Sequence, residues 1–225
     1  MRRTFITTFI CLLTSWAPVS FSMDLSGDIR MTGRGSKSIK LEDAVIYFVP
    51  KDRSDIENIE LPNSYKIDMI KKQFSPRVIA VPSGSIIMLP NQDSIVHNAF
   101  SPSKPNDFDL GFYGKNQEKG FTVNAPGIVR VFCNVHFNMV AYVLVLDTPY
   151  FTRPDENGEF QLKNLPEVPG TLVVWHDRSD EQRKEISPRA RDDFQFKMKA
   201  SKRRIPQHNN KLGGSYRKDR NAYSK

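Results

Sequence analysis

Between residues 44 and 198 the apolar side chains come in short, β-branched runs, each soon cut by proline or glycine. An amphipathic helix needs its apolar residues to recur at three- and four-residue steps over about three turns. The runs at 44–49, 77–81, 85–89, 129–132, 141–146 and 194–198 are too short for that and suit buried strands. Ser83-Gly84, Pro126-Gly127, Asn157-Gly158 and Pro169-Gly170 supply the turns between them. Only 180–186 reads as a possible helix. The expected fold class is therefore all-β.

The first 22 residues read as a secretory signal peptide. Arg2 and Arg3 make a short basic start, 5–16 carry no charge, and Ser20-Phe21-Ser22 offers the small residues a signal peptidase needs. The apolar run falls short of the ~20 residues that span a bilayer, although an uncleaved anchor is the alternative. Export to the periplasm is expected. Cys11 would leave with the signal, so the mature chain would keep Cys133 alone. A single exported thiol cannot close an internal disulfide; it is reactive, joined to another chain, buried, or bound to a metal.

The net charge of +8 is unevenly spread. Residues 201–225 hold eight Lys or Arg and one Asp, and with Arg2 and Arg3 they account for the whole excess, leaving 23–200 near neutral. Few apolar residues lie in 201–225, so this stretch is expected to be a disordered basic tail. It would be either a plain solvated extension or a tether to an anionic surface or acidic partner. Nucleic acid is not an expected partner for an exported chain.

From residue 65 to 146 the pieces follow one another in a definite order. Phe74-Ser75-Pro76, Val81-Pro82-Ser83-Gly84 and a hydrophobic strand lead to Asn91-Gln92-Asp93 and His97-Asn98. Then come Phe121, Ala125-Pro126-Gly127, Phe132-Cys133-Asn134-Val135-His136 and Met139. This series resembles a cupredoxin, the Greek-key β-sandwich of blue copper proteins, over 65–147. The flanks, 23–64 and 148–200, are similar to the two halves of a carboxypeptidase-regulatory-like, transthyretin-type sandwich. The residues carrying that likeness are Leu25-Ser26-Gly27-Asp28-Ile29 with Asp43-Ala44-Val45-Ile46-Tyr47, and later Asp155-Glu156-Asn157-Gly158-Glu159-Phe160, Leu165-Pro166 and Gly170-Thr171. Either the cupredoxin is inserted into that sandwich or the flanks extend its sheets. The whole chain is also similar to bacterial chains carried under the label "methylamine utilization protein", which describes a gene neighbourhood more than a chemistry.

The cupredoxin resemblance implies one type 1 copper ion, held by His97, Cys133 and His136 with Met139 as a weak axial ligand. Methionine is also a common core filler, so Met139 rests most on the resemblance. Asn98 matches the asparagine that ties the two ligand loops together in cupredoxins. Phe137 stands where relatives often carry proline, which makes the ligand loop less rigid or supplies an apolar patch for a redox partner. His176, closing an apolar run, reads as structural, and His208 lies in the basic tail.

A one-electron carrier between protein redox partners is the expected function. The alternative is copper delivery or buffering without redox turnover, but such proteins display exposed methionines and histidines, and here a single methionine stands beside the cysteine. Enzyme activity is not expected. No helix start lies behind Cys133 to activate it as a nucleophile, four histidines are too few for a multicopper oxidase, and a thioether is a poor zinc ligand.

Overall fold

A computed structural model describes residues 22–33, 39–56, 59–188, 193–201 and 203–216. The described residues form seventeen strands, and their helical pieces are two 3-10 turns at Leu41–Asp43 and Arg53–Asp55. The all-β expectation holds. No described helix is long and apolar enough to cross a membrane. The proposed signal peptide lies outside the described residues except for Ser22, which already belongs to the first strand.

A central sandwich is built from β3 (Ser64–Lys66), β4 (Asp68–Ile70), β5 (Gln73–Ser75), β6 (Val78–Pro82), β7 (Ser85–Pro90), β8 (His97–Ser101), β9 (Phe108–Tyr113), β10 (Glu118–Val123), β11 (Gly127–Phe132) and β12 (Val140–Leu146). Its larger sheet runs β6-β12-β11-β8-β9 and its smaller one β10-β7-β3, with β4 and β5 paired beside them. Side chains alternate along each strand, so Ile87 and Leu89 of β7 and Phe121 and Val123 of β10 meet Val129 and Val131 of β11 in one buried core.

The remaining strands make a flanking sandwich. They are β1 (Ser22–Thr32), β2 (Val45–Pro50), β13 (Phe151–Thr152), β14 (Glu159–Pro166), β15 (Gly170–Trp175), β16 (Gln182–Ile186) and β17 (Asp193–Lys199). One sheet runs β14-β1-β17 and the other β13-β2-β15-β16. Leu25, Ile29, Ile46, Phe48, Leu162, Leu172, Phe194 and Phe196 close a second core between them. Strands from before and after the central sandwich thus share sheets, and the central sandwich enters the chain between β2 and β13.

A third apolar layer joins the two. All seven residues of β12 are buried. Ala141, Val143 and Val145 point into the central core. Val140, Tyr142, Leu144 and Leu146 point the other way, against Val45 of β2 and Trp175 of β15. A strand covered on both faces needs a continuous apolar run, and Val-Ala-Tyr-Val-Leu-Val-Leu is one. At the margin of this layer the Arg77 guanidinium lies 2.7 Å from the nearly inaccessible Asp177 carboxylate. His176 is buried next to it, with Nε2 3.1 Å from the Lys40 carbonyl and Nδ1 3.0 Å from the Arg178 amide. It is a structural histidine, as its sequence context implied.

Two expectations are corrected here. Residues 182–186 are not helical but form β16, a strand at the end of its sheet paired to β15 from Gly170↔Ile186 to Val174↔Gln182. Its charged residues mimic a helix surface because an edge strand is kept polar on its open side. The basic tail, expected to be free, is docked over its described part, 203–216. Arg77 donates to the Arg204 carbonyl, Ile205 joins the layer between the sandwiches, and the segment then crosses to the Cys133 end of the central sandwich. Composition missed this because a few well-spaced side chains, not a hydrophobic run, make the contacts.

Candidate metal centre

Two neighbouring strands of one sheet deliver the donor side chains. His97 opens β8, and Cys133 directly follows β11, which pairs with β8 at Phe132↔Phe100. The turn from Cys133 to Met139 connects β11 to β12. It is pinned by backbone bonds from Cys133 N to Met139 O, 3.3 Å, and from Met139 N to His136 O, 3.0 Å. Three of the four expected ligands therefore lie in one seven-residue turn, and the fourth lies on the adjacent strand.

The structure brings His97, Cys133 and His136 together, with one donor atom of each within 4.8 Å of the others. Cys133 Sγ is 3.9 Å from His97 Nδ1 and 3.7 Å from His136 Nδ1. A first-row metal bonded trigonally by nitrogen at about 2.0 Å and sulfur at about 2.3 Å would separate those donors by about 3.7 Å. The donor set fits such an ion. Met139 is fully buried in the same apolar core as Cys133, which accords with an axial ligand and with a core side chain alike.

His97 is fully buried at the start of a strand, just after the turn that holds Asn91 and Asp93. Asn91 closes that turn by donating to the Ile95 and Tyr113 carbonyls and accepting from the Asp93 amide. Asp93 Oδ2 then lies 2.8 Å from His97 Nε2. The amides of Lys71 and Lys72 donate to the same carboxylate. Burial pushes the Asp93 carboxyl up, but the bonds from Lys72, His97 and Lys71 outweigh it and leave it below the usual carboxylate range. An ionised Asp93 takes the Nε2 proton as a hydrogen bond, which leaves the Nδ1 lone pair facing Cys133. Carboxylates commonly orient metal-binding histidines in this way. The sequence reading gave Asp93 no such role; an acid four residues before the histidine was the available signal.

Asn98 does link the two ligand segments. Its Oδ1 accepts from the Asn134 amide at 3.3 Å, and its Nδ2 donates to Asp109 and to the Gly111 carbonyl. Burial pushes the Cys133 thiol up, against a smaller downward pull from the amides of Asn98, Val135 and His136. A bound cation would therefore be needed to hold it as thiolate. Burial foremost, with smaller electrostatic contributions from the neighbouring His97 and Lys72, lowers the His136 imidazole to about 4, so it is neutral and able to donate a lone pair at pH 7.

The fold has partial likenesses among solved structures. A purple cupredoxin from Nitrosopumilus maritimus is 19% identical and matches 36% of this chain and 99% of its own, with a TM-score of 0.34. Amicyanin from Paracoccus versutus is 18% identical over 44% of this chain and 98% of its own, TM-score 0.35. A copper-containing nitrite reductase from Thermus scotoductus SA-01 is 21% identical over 44% of this chain and 27% of its own, TM-score 0.36. No protein-family model matches the chain. No curated protein matches it either.

Proposed function

We propose that the protein is an exported type 1 copper protein that carries single electrons between protein partners and is not an enzyme. The observation that carries this reading is the convergence of His97 Nδ1, Cys133 Sγ and His136 Nδ1 at metal-ligand separations, with His97 fixed by Asp93 in the tautomer that frees Nδ1. His97, Cys133 and His136 would hold the ion, with Met139 as axial ligand. Copper bound there would supply a one-electron couple. The protein's part is to keep the donors in one geometry for both oxidation states. Strands on both sides and the cross-bonds of Asn98 and Asp93 do this.

Val96 and Phe137, next in sequence to His97 and His136, and Phe112, paired in register with Asn98, remain 50%, 41% and 49% exposed. An open apolar rim beside the metal suits brief docking of another protein. Export rests on residues 1–22, outside the described part apart from Ser22. A basic attraction to anionic surfaces would fall to residues 201–225, of which Arg203, Arg204 and Lys211 are described and exposed; nucleic acid is not a proposed partner.

The test is the visible spectrum and voltammetry of the mature protein with Cu(II). An intense charge-transfer band from the Cys133 thiolate, lost in Cys133→Ser, and a reversible one-electron wave are expected. Stoichiometric copper binding without the band would overturn the blue-site reading. A band without reversible oxidation would favour delivery or buffering over electron carriage.

A further inference from the structure

The described part of the basic segment ends at the metal centre. Residues 210–214 form a compact turn in which Asn210 Oδ1 accepts from the Leu212 and Gly214 amides and Asn210 N donates to the Gly214 carbonyl. Such asparagine-capped turns need no hydrophobic run. The turn presents Lys211 to both ligand segments. Lys211 N donates to Asn134 Oδ1 at 2.9 Å, and Lys211 Nζ lies 2.7 Å from Asp109 Oδ2. Asn134 N donates to Asn98 Oδ1, and Asn98 Nδ2 donates to Asp109 Oδ1. These four residues close a ring through the side chains next to His97 and Cys133.

Tyr216 reaches further in. Its hydroxyl donates to the Cys133 carbonyl at 3.0 Å. Ahead of both anchors in the chain, the His208 ring stacks on Phe132 at 4.2 Å and lies parallel to Phe137 at 4.6 Å, with Tyr216 edge-on to both His208 and Phe137. Phe137 is the position where proline would have stiffened the loop. Here external stacking takes over that restraint.

We propose that residues 204–216 form a clasp on the metal-binding turn, in which Tyr216 is a positioning residue for Cys133 and Lys211 locks the residues after Cys133 and His97 to each other. The clasp restrains the donor turn before any ion binds. Its consequence for a bound ion, slower loss of copper, rests on the ligand assignment proposed above.

The experiment compares the full chain with a form lacking 204–225 and with Tyr216→Phe and His208→Ala. Amide exchange of residues 134–139 is read in the copper-free proteins, and removal of copper by a chelator is timed in the loaded ones. Truncation should speed exchange in that turn about tenfold or more, as loss of about 1.4 kcal/mol of local stability would, and leave β1 and β14, whose core lies away from Ile205, unchanged. Tyr216→Phe keeps the ring and removes the hydroxyl bond; it should speed copper removal several-fold and shift the charge-transfer band. A variant of merely structural effect would leave that band in place. Equal exchange in the turn with and without 204–225 would overturn the clasp. If truncation destabilises the whole chain, Tyr216→Phe decides: unchanged exchange, release and band would sink the proposal. Faster exchange in a protein that never turns blue would uphold the clasp and reject the copper assignment.

Discussion

His97 is held by a neighbour that is not itself a candidate ligand, Asp93. Removing the Asp93 carboxylate would leave His97 free to turn and to take the wrong tautomer. Asp93→Ala should therefore weaken copper binding by roughly 10–100-fold, the usual effect of deleting such a partner, as measured by competition with a chelator. Met139→Leu should leave a blue, redox-active protein with a raised potential, because a thioether donates weakly to Cu(II) and its loss disfavours the oxidised state. An unchanged potential would make Met139 a core side chain only. His136 gives the pH dependence. Its folded value, about 4, lies below its ordinary 6.5, so between them the unfolded chain binds more protons. The copper-free protein should be fully stable in this respect above pH 6.5 and lose that contribution as pH falls towards 4. His136→Gln should flatten the fall, as followed by urea unfolding at several pH values.

Among the elements, β12 carries the most. Leu144 faces the layer between the sandwiches and not the donors, so Leu144→Ala should cost about 2–5 kcal/mol of stability in denaturant unfolding. It should leave the visible spectrum of the folded protein unchanged. This strand and the grouping of His97, Cys133 and His136 were both legible in the sequence. A continuous apolar run has few places to go, and His97, Cys133 and His136 sit at recognisable positions around two of the strands. β16 was not legible, because charged residues on an edge strand look like those on a helix face. The carboxylate on His97 was hidden as well, since nothing in Asn91-Gln92-Asp93 says which way that turn folds. The docking of 203–216 depends on Phe132, Phe137, Asn134 and Asp109 being brought together first, which no local composition records.

At the scale of the whole molecule, Arg77 and Asp177 join the sandwiches. Burial pushes the Asp177 carboxyl up, but hydrogen bonds and charge from His176 and Arg77 outweigh it, so it stays below its ordinary value of 3.8. Stability from this group is complete above that value and is lost only as the pH falls below it. Asp177→Ala should cost about 3–5 kcal/mol, because it leaves a largely buried guanidinium without its counter-charge. Scanning calorimetry would show a lower unfolding temperature.

The double-sided burial of β12 also limits how the chain can be cut. Residues 65–147 look like a portable unit, but expressed alone they would carry a bare apolar wall made of Val78, Ala80, Tyr142, Leu144 and Leu146. Such a fragment should stick to its own copies, and light scattering would show it associating as concentration rises. Threonine or lysine at 78, 142 and 144 should keep it monomeric, since those side chains no longer have a neighbour to meet. Whoever wants the candidate metal centre in a minimal scaffold must resurface this wall first.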